Sequence, residues 1–437
     1  MTDAAISSVA ATPPARRDIG IKRRYAAEQR FRFYGIAAIA VGVFFLFALL
    51  WSVVGNGYTA FWQTSIQLPI TFDAEIIDPD NEREANPRAL LTANYPRLAQ
   101  QAIIEQLDLD PENRQQVRQA GAMISNGVRT QLRNMVVADP SIIGTTRDVW
   151  VLASADVDSA LKGQVDLEVA EGRRKVSDQQ VAWMRQMEGS GKMEQRWNSG
   201  LFTFGASSRP ETAGMGVAII GSLYMMLIVL VLSLPIGVAA SIYLEEFAAK
   251  NRFTDLVEVN INNLAAVPSI VFGLLGLAVF INFMELPRSA SIVGGLVLTL
   301  MTLPTIIIAT RAALRAVPPS IRSAALGLGA SRMQMVFHHV LPLAAPGILT
   351  GTIIGLAQAL GETAPLLLIG MVAFVADFPT TPFDPATALP VQIYMWANEA
   401  ERAFVERTSG AIIILLGFLA IMNIGAILLR RRFERRW

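Results

Sequence analysis

The sequence predicts an all-α polytopic membrane protein with six transmembrane helices and an α+β domain inserted after the first helix. Three observations predict this class. Of the 437 residues, 52% are hydrophobic and only 17% are charged, whereas soluble domains carry about 25% charged residues. Several apolar runs reach the roughly 20 residues that a helix needs to cross a bilayer. A polar stretch long enough for a domain of its own separates the first run from the others.

Each apolar run has a composition that predicts a membrane-spanning helix. The first run is too long for the apolar core of a signal peptide, and no small-residue cleavage site closes it, so we expect an uncleaved signal anchor. The fifth run is interrupted by polar residues. The six predicted spans are 35–54, 216–244, 263–284, 291–310, 345–376 and 410–429.

Arginine and lysine near the ends of the spans predict the orientation, because loops rich in these residues stay in the cytoplasm. Basic clusters precede the first span, at 16–32, and follow the last, at 430–436. We therefore expect both termini on the cytoplasmic side of the membrane, with an even number of spans between them. The loop 311–342 carries four arginines and no acidic residue, and falls on the same side. The acid-rich loop 377–409 falls outside.

These spans and loops divide the chain into predicted segments. The N-terminal tail is polar and rich in Ala and Arg, so we expect most of it to be disordered. The segments are a cytoplasmic tail at 1–33, a transmembrane helix at 34–54, a periplasmic inserted domain at 55–213, a membrane core at 214–430 with the loop 311–342, and a cytoplasmic tail at 431–437.

The inserted domain combines both kinds of periodicity. "YTAFWQTSIQLPITFD" alternates with a period of two and predicts a strand, as do "DVWVLASADVDSAL" and "GQVDLEVAEG". "YPRLAQQAIIEQLDL" has helical spacing, and "PENRQQVRQAGAMISNGVRTQLRNMVV" predicts one long helix that begins at Pro111. No constellation in this domain indicates catalysis.

Composition and motifs argue against several functions. The net charge of +1 gives no case for nucleic-acid binding, and a chain without cysteine has no disulfide or thiolate metal site. "GSGK" at 189–192 lacks the spacing of a phosphate-binding loop and predicts a polar turn, so we expect no ATP hydrolysis by this chain. His338 and His339 have no third ligand nearby in the sequence, so we interpret them as exposed surface residues.

The loop 311–342 predicts a helix, a tight turn and a second helix. Pro318 and Pro319 end the fourth span, and a short helix is expected from 320 to about 328. Gly329 supplies a left-handed position after it. Ser331 then caps the next helix, with Gln334 completing a capping box. One alternative stays open, namely a helix pair at the membrane surface without a docking role.

The string "SAALGLGASRMQMVFHHVLP" within this loop resembles the signature loop of the permeases of ABC importers. The resemblance implies a six-helix core of the type I ABC-importer permease kind, in which a coupling helix docks into a cleft of the ATP-binding subunit. Two positions depart from the family pattern: Ser323 replaces an acidic residue and His339 replaces an aliphatic one. The implied coupling residues are Ser323, Ala324, Ala325, Gly327, Gly329, Leu341 and Pro342.

A second string, "QALGETAPLLLIG", lies in the fifth apolar run and places Glu362 at membrane depth, where a charge is costly. Pro365 is expected to break the helix there. A structural hydrogen bond of Glu362 is the alternative to a functional role.

The string resembles PstA-type phosphate permeases, as do "LPTIIIATR" and "LPVQIYMWA". Where the family often has an arginine one turn before the glutamate, this chain has Gln358, which leaves Arg311 as the best basic candidate. The alternative for Arg311 is an anchor at the cytoplasmic end of the fourth span. The implied path residues are Arg311, Gln358, Glu362, Thr363 and Pro365.

The resemblance also implies partners. They are a paralogous, PstC-like permease, a PstB-like dimer of ATP-binding subunits that uses the ATP, a PstS-like external phosphate-binding protein and the lipid bilayer. No nucleic acid and no cofactor in this chain are expected. The alternatives are a permease for another oxyanion such as molybdate or sulfate, a membrane sensor, and a secondary transporter.

Overall fold

The computed structural model describes residues 20–79, 81 and 88–433, and the chain divides into two compact units, 1–53 and 54–437. The first unit contains most of helix α1 (Ile21–Gly57), whose most apolar window has none of its residues buried. The predicted disordered tail falls partly outside the described residues, at 1–19. It was wrong for 21–33, where Ala, Arg and Glu favour the helix that the structure contains.

The inserted domain is built on an antiparallel sheet in which β1 (Trp62–Thr71) lies between β2 (Thr146–Leu152) and β3 (Met193–Trp197). Alternate side chains of β1 enter a core that five helices cover, as the period of two requires. These helices are α2 (Tyr95–Gln106), α3 (Arg114–Gly121), α4 (Val128–Ala138), α5 (Ala155–Leu161) and α6 (Asp178–Gly189), with short turns at Ala74–Ile77 and Ala89–Thr92.

Predictions for this domain were confirmed at β1, at α2 and at the polar turn 189–192, where Gly191 has φ 71°. The long helix was wrong, because the chain breaks between α3 and α4 and Asn113, not Pro111, caps α3. Strand β2 was confirmed, but its predicted continuation is α5. The strand predicted at 163–172 was wrong. The exposure of its side chains alternates, but the segment pairs with no strand of the described chain.

A buried ionic contact holds the inserted domain on the last long helix. Lys162, which directly follows α5, lies 2.7 Å from Asp158 and 2.9 Å from Glu406, which belongs to that last helix. All three side chains are at most 7% exposed. Because breaking such a buried pair is strongly unfavourable, the contact fixes the domain against the helix end.

The remaining helices form the membrane core. Five helices of the described chain are long and apolar enough to cross a membrane, and α1 is one of them. The number is six if a bent pair of helices is counted as one span. In chain order the core helices are α7 (Gly216–Ile242), α8 (Arg252–Ala265), α9 (Ser269–Gly276), α10 (Ser291–Arg315), α11 (Pro319–Gly327), α12 (Arg332–Met335), α13 (Leu341–Gly361), α14 (Ala364–Leu368), α15 (Leu389–Ala397) and α16 (Ala403–Phe433), with a short helix at Gly200–Thr203 before them.

Two of the predicted spans need correction. The third, at 263–284, is not one helix, because α8 and α9 meet at 100° around Pro268. The fifth, at 345–376, ends at Gly361, because Glu362 adopts an extended conformation. Pro365 then lies in the first turn of α14, where proline is tolerated, rather than at a kink inside a helix.

Helix α10 is the centre of the core and packs closely against α13. A Cβ atom at Gly347 would lie 2.6 Å from that of Ala313, and one at Gly351 would lie 2.2 Å from that of Ala309. Glycine at these positions therefore lets the two helices approach, as small residues do in membrane bundles. The same contacts set the register between the helices that carry the candidate site.

Candidate functional site

The loop between the fourth and fifth spans folds into the predicted helix, turn and helix. Helix α11 begins at Pro319, whose fixed φ suits the first turn, and ends at Gly327. Gly329 follows with φ 87°, the left-handed conformation that favours glycine. Its surroundings are open, so the backbone conformation and not a close contact requires glycine there.

The second helix of the loop is joined directly to the fifth span. The Ser331 hydroxyl accepts a bond of 3.2 Å from the Gln334 backbone, and the Gln334 side chain accepts one of 2.9 Å from Ser331 N–H. This confirms the predicted capping box. A π-helical turn, Val336–Val340, then leads from α12 into α13. Movement of the loop therefore reaches the span without a flexible joint.

One face of α11 is buried and the other is exposed. Ala325 is 6% exposed and packs among Leu314, Val336 and Val340. Leu326 is 45% exposed, and Leu328, which directly follows the helix, is 91% exposed. The remaining predicted coupling residues are mostly at the surface: Ser323, Ala324, Gly327 and Pro342 are exposed, and Leu341 is half-buried. Ala324, Leu326 and Leu328 therefore give this part of the loop an exposed apolar surface.

Arg322 attaches the buried face of α11 to the second span. Its guanidinium lies 2.7 Å from the Glu246 carboxylate, in the π-helical turn that continues α7. It also donates to the carbonyls of Val317, at 2.7 Å, and Leu314, at 2.9 Å. Glu246 is 7% exposed, so this carboxylate depends on Arg322 in place of water.

Two further arginines extend this contact. Arg315 lies 2.7 Å from Glu245, and Arg311 pairs with Glu245, at 3.3 Å, and with Glu258 of α8. We call these charged residues the clamp: three carboxylates meet three guanidinium groups, and their charges balance. Of these residues, sequence reasoning singled out only Arg311 as a candidate site residue, although the adjacent glutamates in "YLEEF" were a signal. The clamp consists of Glu245, Glu246, Glu258, Arg311, Arg315 and Arg322.

The clamp changes the interpretation of Arg311. Its guanidinium is 11% exposed and held by two carboxylates, so the structure does not present it as a free anion ligand. It is also not a partner for Glu362. Gly347 faces Ala313 and Gly351 faces Ala309, which places Glu362 about 20 Å farther along α13 at 1.5 Å per residue.

The other predicted path residues lie together at the far end of α13. Gln358 is exposed, and Glu362 and Thr363 are half-buried. Within the described chain the Glu362 side chain makes no hydrogen bond or ion pair. Pro365 is buried and packs closely against Gly273 of α9. Glu362 is therefore a half-buried carboxylate directly after the end of α13.

Two family models match the chain. Residues 233–437 match the family described as "Binding-protein-dependent transport system inner membrane component". This range contains the loop, the clamp and the Glu362 segment. Residues 18–171 match a domain of unknown function, which covers α1 and most of the inserted domain.

Curated relatives match about half of this chain. The phosphate transport system permease protein PstA 1 of Mycobacterium tuberculosis is 32% identical over 230 residues, 52% of this chain and 74% of that protein. PstA of Xylella fastidiosa is 31% identical over 53% of this chain and 80% of its own length. The probable ABC transporter permease protein YqgI of Bacillus subtilis is 33% identical over 196 residues, which are 42% of this chain and 66% of that protein.

Proposed function

The chain belongs to the family of binding-protein-dependent transport system inner membrane components, and we propose that it is the permease subunit of an ATP-driven phosphate importer. The observation that supports coupling to an ATP-binding subunit is the position of the loop helix α11, which the clamp holds. It offers an exposed apolar surface on one side and a buried ion pair to the second span on the other. A partner that pulls on α11 would move α7, α10 and α13 with it.

Phosphate as the transported anion is supported by the relatives, which include the PstA proteins of two bacteria. The Glu362 segment supplies the path in this proposal, with Gln358 and Thr363 beside it. A carboxylate cannot attract a phosphate dianion. Glu362 therefore acts as a charged gate, or holds a basic side chain of the partner permease. Arg311 acts through the clamp rather than by binding the anion.

The proposal fixes an orientation and a set of partners. Both termini and the loop lie in the cytoplasm, and the inserted domain lies outside the inner membrane, in accordance with the basic flanks. The partners are a PstC-like permease, a PstB-like ATPase dimer, a PstS-like phosphate-binding protein and the bilayer. ATP is used by the ATPase dimer, and this chain needs no cofactor of its own.

Affinity capture of the full chain from its native membrane tests the assembly. The expected result is co-purification of a second permease, an ATP-binding subunit and an external binding protein in one complex. The clamp variant Arg322→Gln should recover less of the ATP-binding subunit, while the matched surface variant Arg332→Gln should recover the wild-type amount. Capture of a signalling kinase without an ATP-binding subunit would replace the importer with the sensor alternative.

A further inference from the structure

A cleft of about 820 Å³ lies between the inserted domain and the core. This volume is in the range of ligand-binding clefts in proteins. Among the described residues that line it, two carry a positive charge and none carries a carboxylate. Its charged and aromatic lining consists of Arg196, Arg209, Trp150, Trp197, Phe204 and Phe378.

The aromatic part of the cleft lies at the end of a membrane span. Gly216 is the first residue of α7, and its N–H donates to the carbonyl of Phe204 at 3.1 Å. A Cβ atom at Gly216 would lie 2.5 Å from the ring of Phe378, so this ring packs directly on the helix end. The second span begins here. The cleft therefore opens at the depth where hydrocarbon gives way to headgroups.

An aromatic cluster beside the cleft supports this depth. The Trp197 ring lies 5.8 Å from Phe61, 5.6 Å from Trp62 and 6.3 Å from Phe202. Trp197 is nevertheless 58% exposed and Trp62 is 42% exposed. Exposed indole rings next to span ends are typical of the membrane interface, because they combine an apolar body with a polar N–H group.

Both arginines line the same cleft as these aromatic rings. The Arg196 guanidinium lies 4.8 Å over the Trp150 ring, and its Nε atom pairs with Glu194 at 3.2 Å, which leaves both terminal nitrogens for a ligand. Arg209 is exposed and forms no ion pair within the described chain. Its backbone N–H donates to Ser207 at 3.1 Å, which orders the segment that carries it.

We propose that this cleft binds the headgroup of an anionic phospholipid in the leaflet that faces the inserted domain. The phosphodiester would lie against Arg196 and Arg209, since guanidinium groups match its oxygens. The glycerol region and acyl chains would continue over Phe378 and along the exposed apolar side of α7 at Leu223 and Leu227. Free phosphate could make the same contacts with the two guanidinium groups, but it has no apolar part that would pack on the aromatic rings. The proposal does not depend on which anion is transported.

Native mass spectrometry of the chain, released from nanodiscs that contain equal parts of phosphatidylglycerol and phosphatidylcholine, tests the site. The wild type should retain phosphatidylglycerol in preference to phosphatidylcholine. The double variant Arg196→Gln, Arg209→Gln should retain roughly tenfold less, as expected for the loss of two charge-assisted contacts. The matched control Arg185→Gln removes an exposed arginine of α6 that does not line the cleft, and should retain the wild-type amount.

A second arm separates the two sources of phosphate chemistry. Short-chain phosphatidylglycerol added to the wild type in detergent should change the fluorescence of the tryptophans in the cleft, and inorganic phosphate at the same concentration should not. Displacement of the bound lipid by inorganic phosphate would assign the site to the free anion and overturn the proposal. Equal retention of the two lipids by the wild type would overturn it too, and this readout needs no variant.

Discussion

Arg322 on the loop helix and Glu246 at the end of the second span form an ion pair of 2.7 Å in which the carboxylate is 7% exposed. The same guanidinium donates to two carbonyls at the end of the fourth span, Leu314 and Val317. One side chain therefore joins the loop helix and the end of the fourth span to a residue that lies 76 positions earlier in the sequence. We infer that α11 cannot move without moving the ends of α7 and α10.

Removal of either partner of this ion pair should weaken coupling. Glu246→Gln or Arg322→Gln leaves a buried charge without its partner, which should destabilise the loop by about 3 kcal/mol. We expect substrate-stimulated ATP hydrolysis of the purified complex to fall strongly. The exchanged pair Glu246→Arg, Arg322→Glu should recover part of it. Wild-type hydrolysis in both single variants would show that the pair does not transmit movement.

Gly329 should be sensitive to its backbone conformation and not to side-chain size. At φ 87° a β-branched residue is disfavoured, so Gly329→Val should cost about 1–2 kcal/mol and misplace the loop helices. Asn tolerates this conformation, so Gly329→Asn should retain most of the ATPase association measured by co-purification. The control Gly189→Ala, at an open helical position in the inserted domain, should be silent. Equal association in the Val variant and the wild type would remove the docking role.

The proposed orientation predicts which positions can be labelled from outside. The natural chain has no cysteine, so single cysteines can be introduced without removing others. A thiol reagent that cannot cross the membrane should label Ser141→Cys and Asn398→Cys in intact cells. It should label Ser331→Cys only after the membrane is opened. Labelling of position 331 in intact cells would contradict the proposed side of the loop.

Glu362 should matter through its charge. Glu362→Gln keeps the size and the capacity to accept a hydrogen bond, so a merely structural role predicts little change. Because the carboxylate is half-buried without a partner in the described chain, we expect the loss of most phosphate uptake with an intact complex. Gln115→Asn, at an exposed position of α3 in the inserted domain, serves as the neutral control. Phosphate uptake by the Glu362→Gln variant at the wild-type rate, measured at equal abundance in the membrane, would leave Glu362 with only a structural role.

Local signals in the sequence were sufficient for the loop. Gly329 and the Ser331 capping box act through neighbours within three or four residues, so their conformations follow from the sequence nearby. The bend at Pro268 was also a local signal, but the predicted span 263–284 was drawn through this proline because the apolar run begins just before it. Hydropathy reports the length of an apolar run and not its direction.

The clamp could not be predicted in the same way. Arg311 has no acidic neighbour in its own loop, and its partners Glu245 and Glu258 come from two other helices. Only the packing of α7, α8 and α10 brings them within reach. A resemblance that placed Arg311 on the path therefore carried no information about its neutralised charge. The same holds for Lys162 and Glu406, which meet only in the folded chain.

The central claim is that this chain carries phosphate across the membrane at the expense of ATP. The most direct measurement is uptake of radioactive phosphate by proteoliposomes that hold the complete purified complex, with ATP supplied on the side of the ATP-binding subunits. We predict ATP-dependent accumulation that excess unlabelled phosphate abolishes and that molybdate and sulfate leave unchanged. Accumulation of molybdate or sulfate without any accumulation of phosphate would contradict the account.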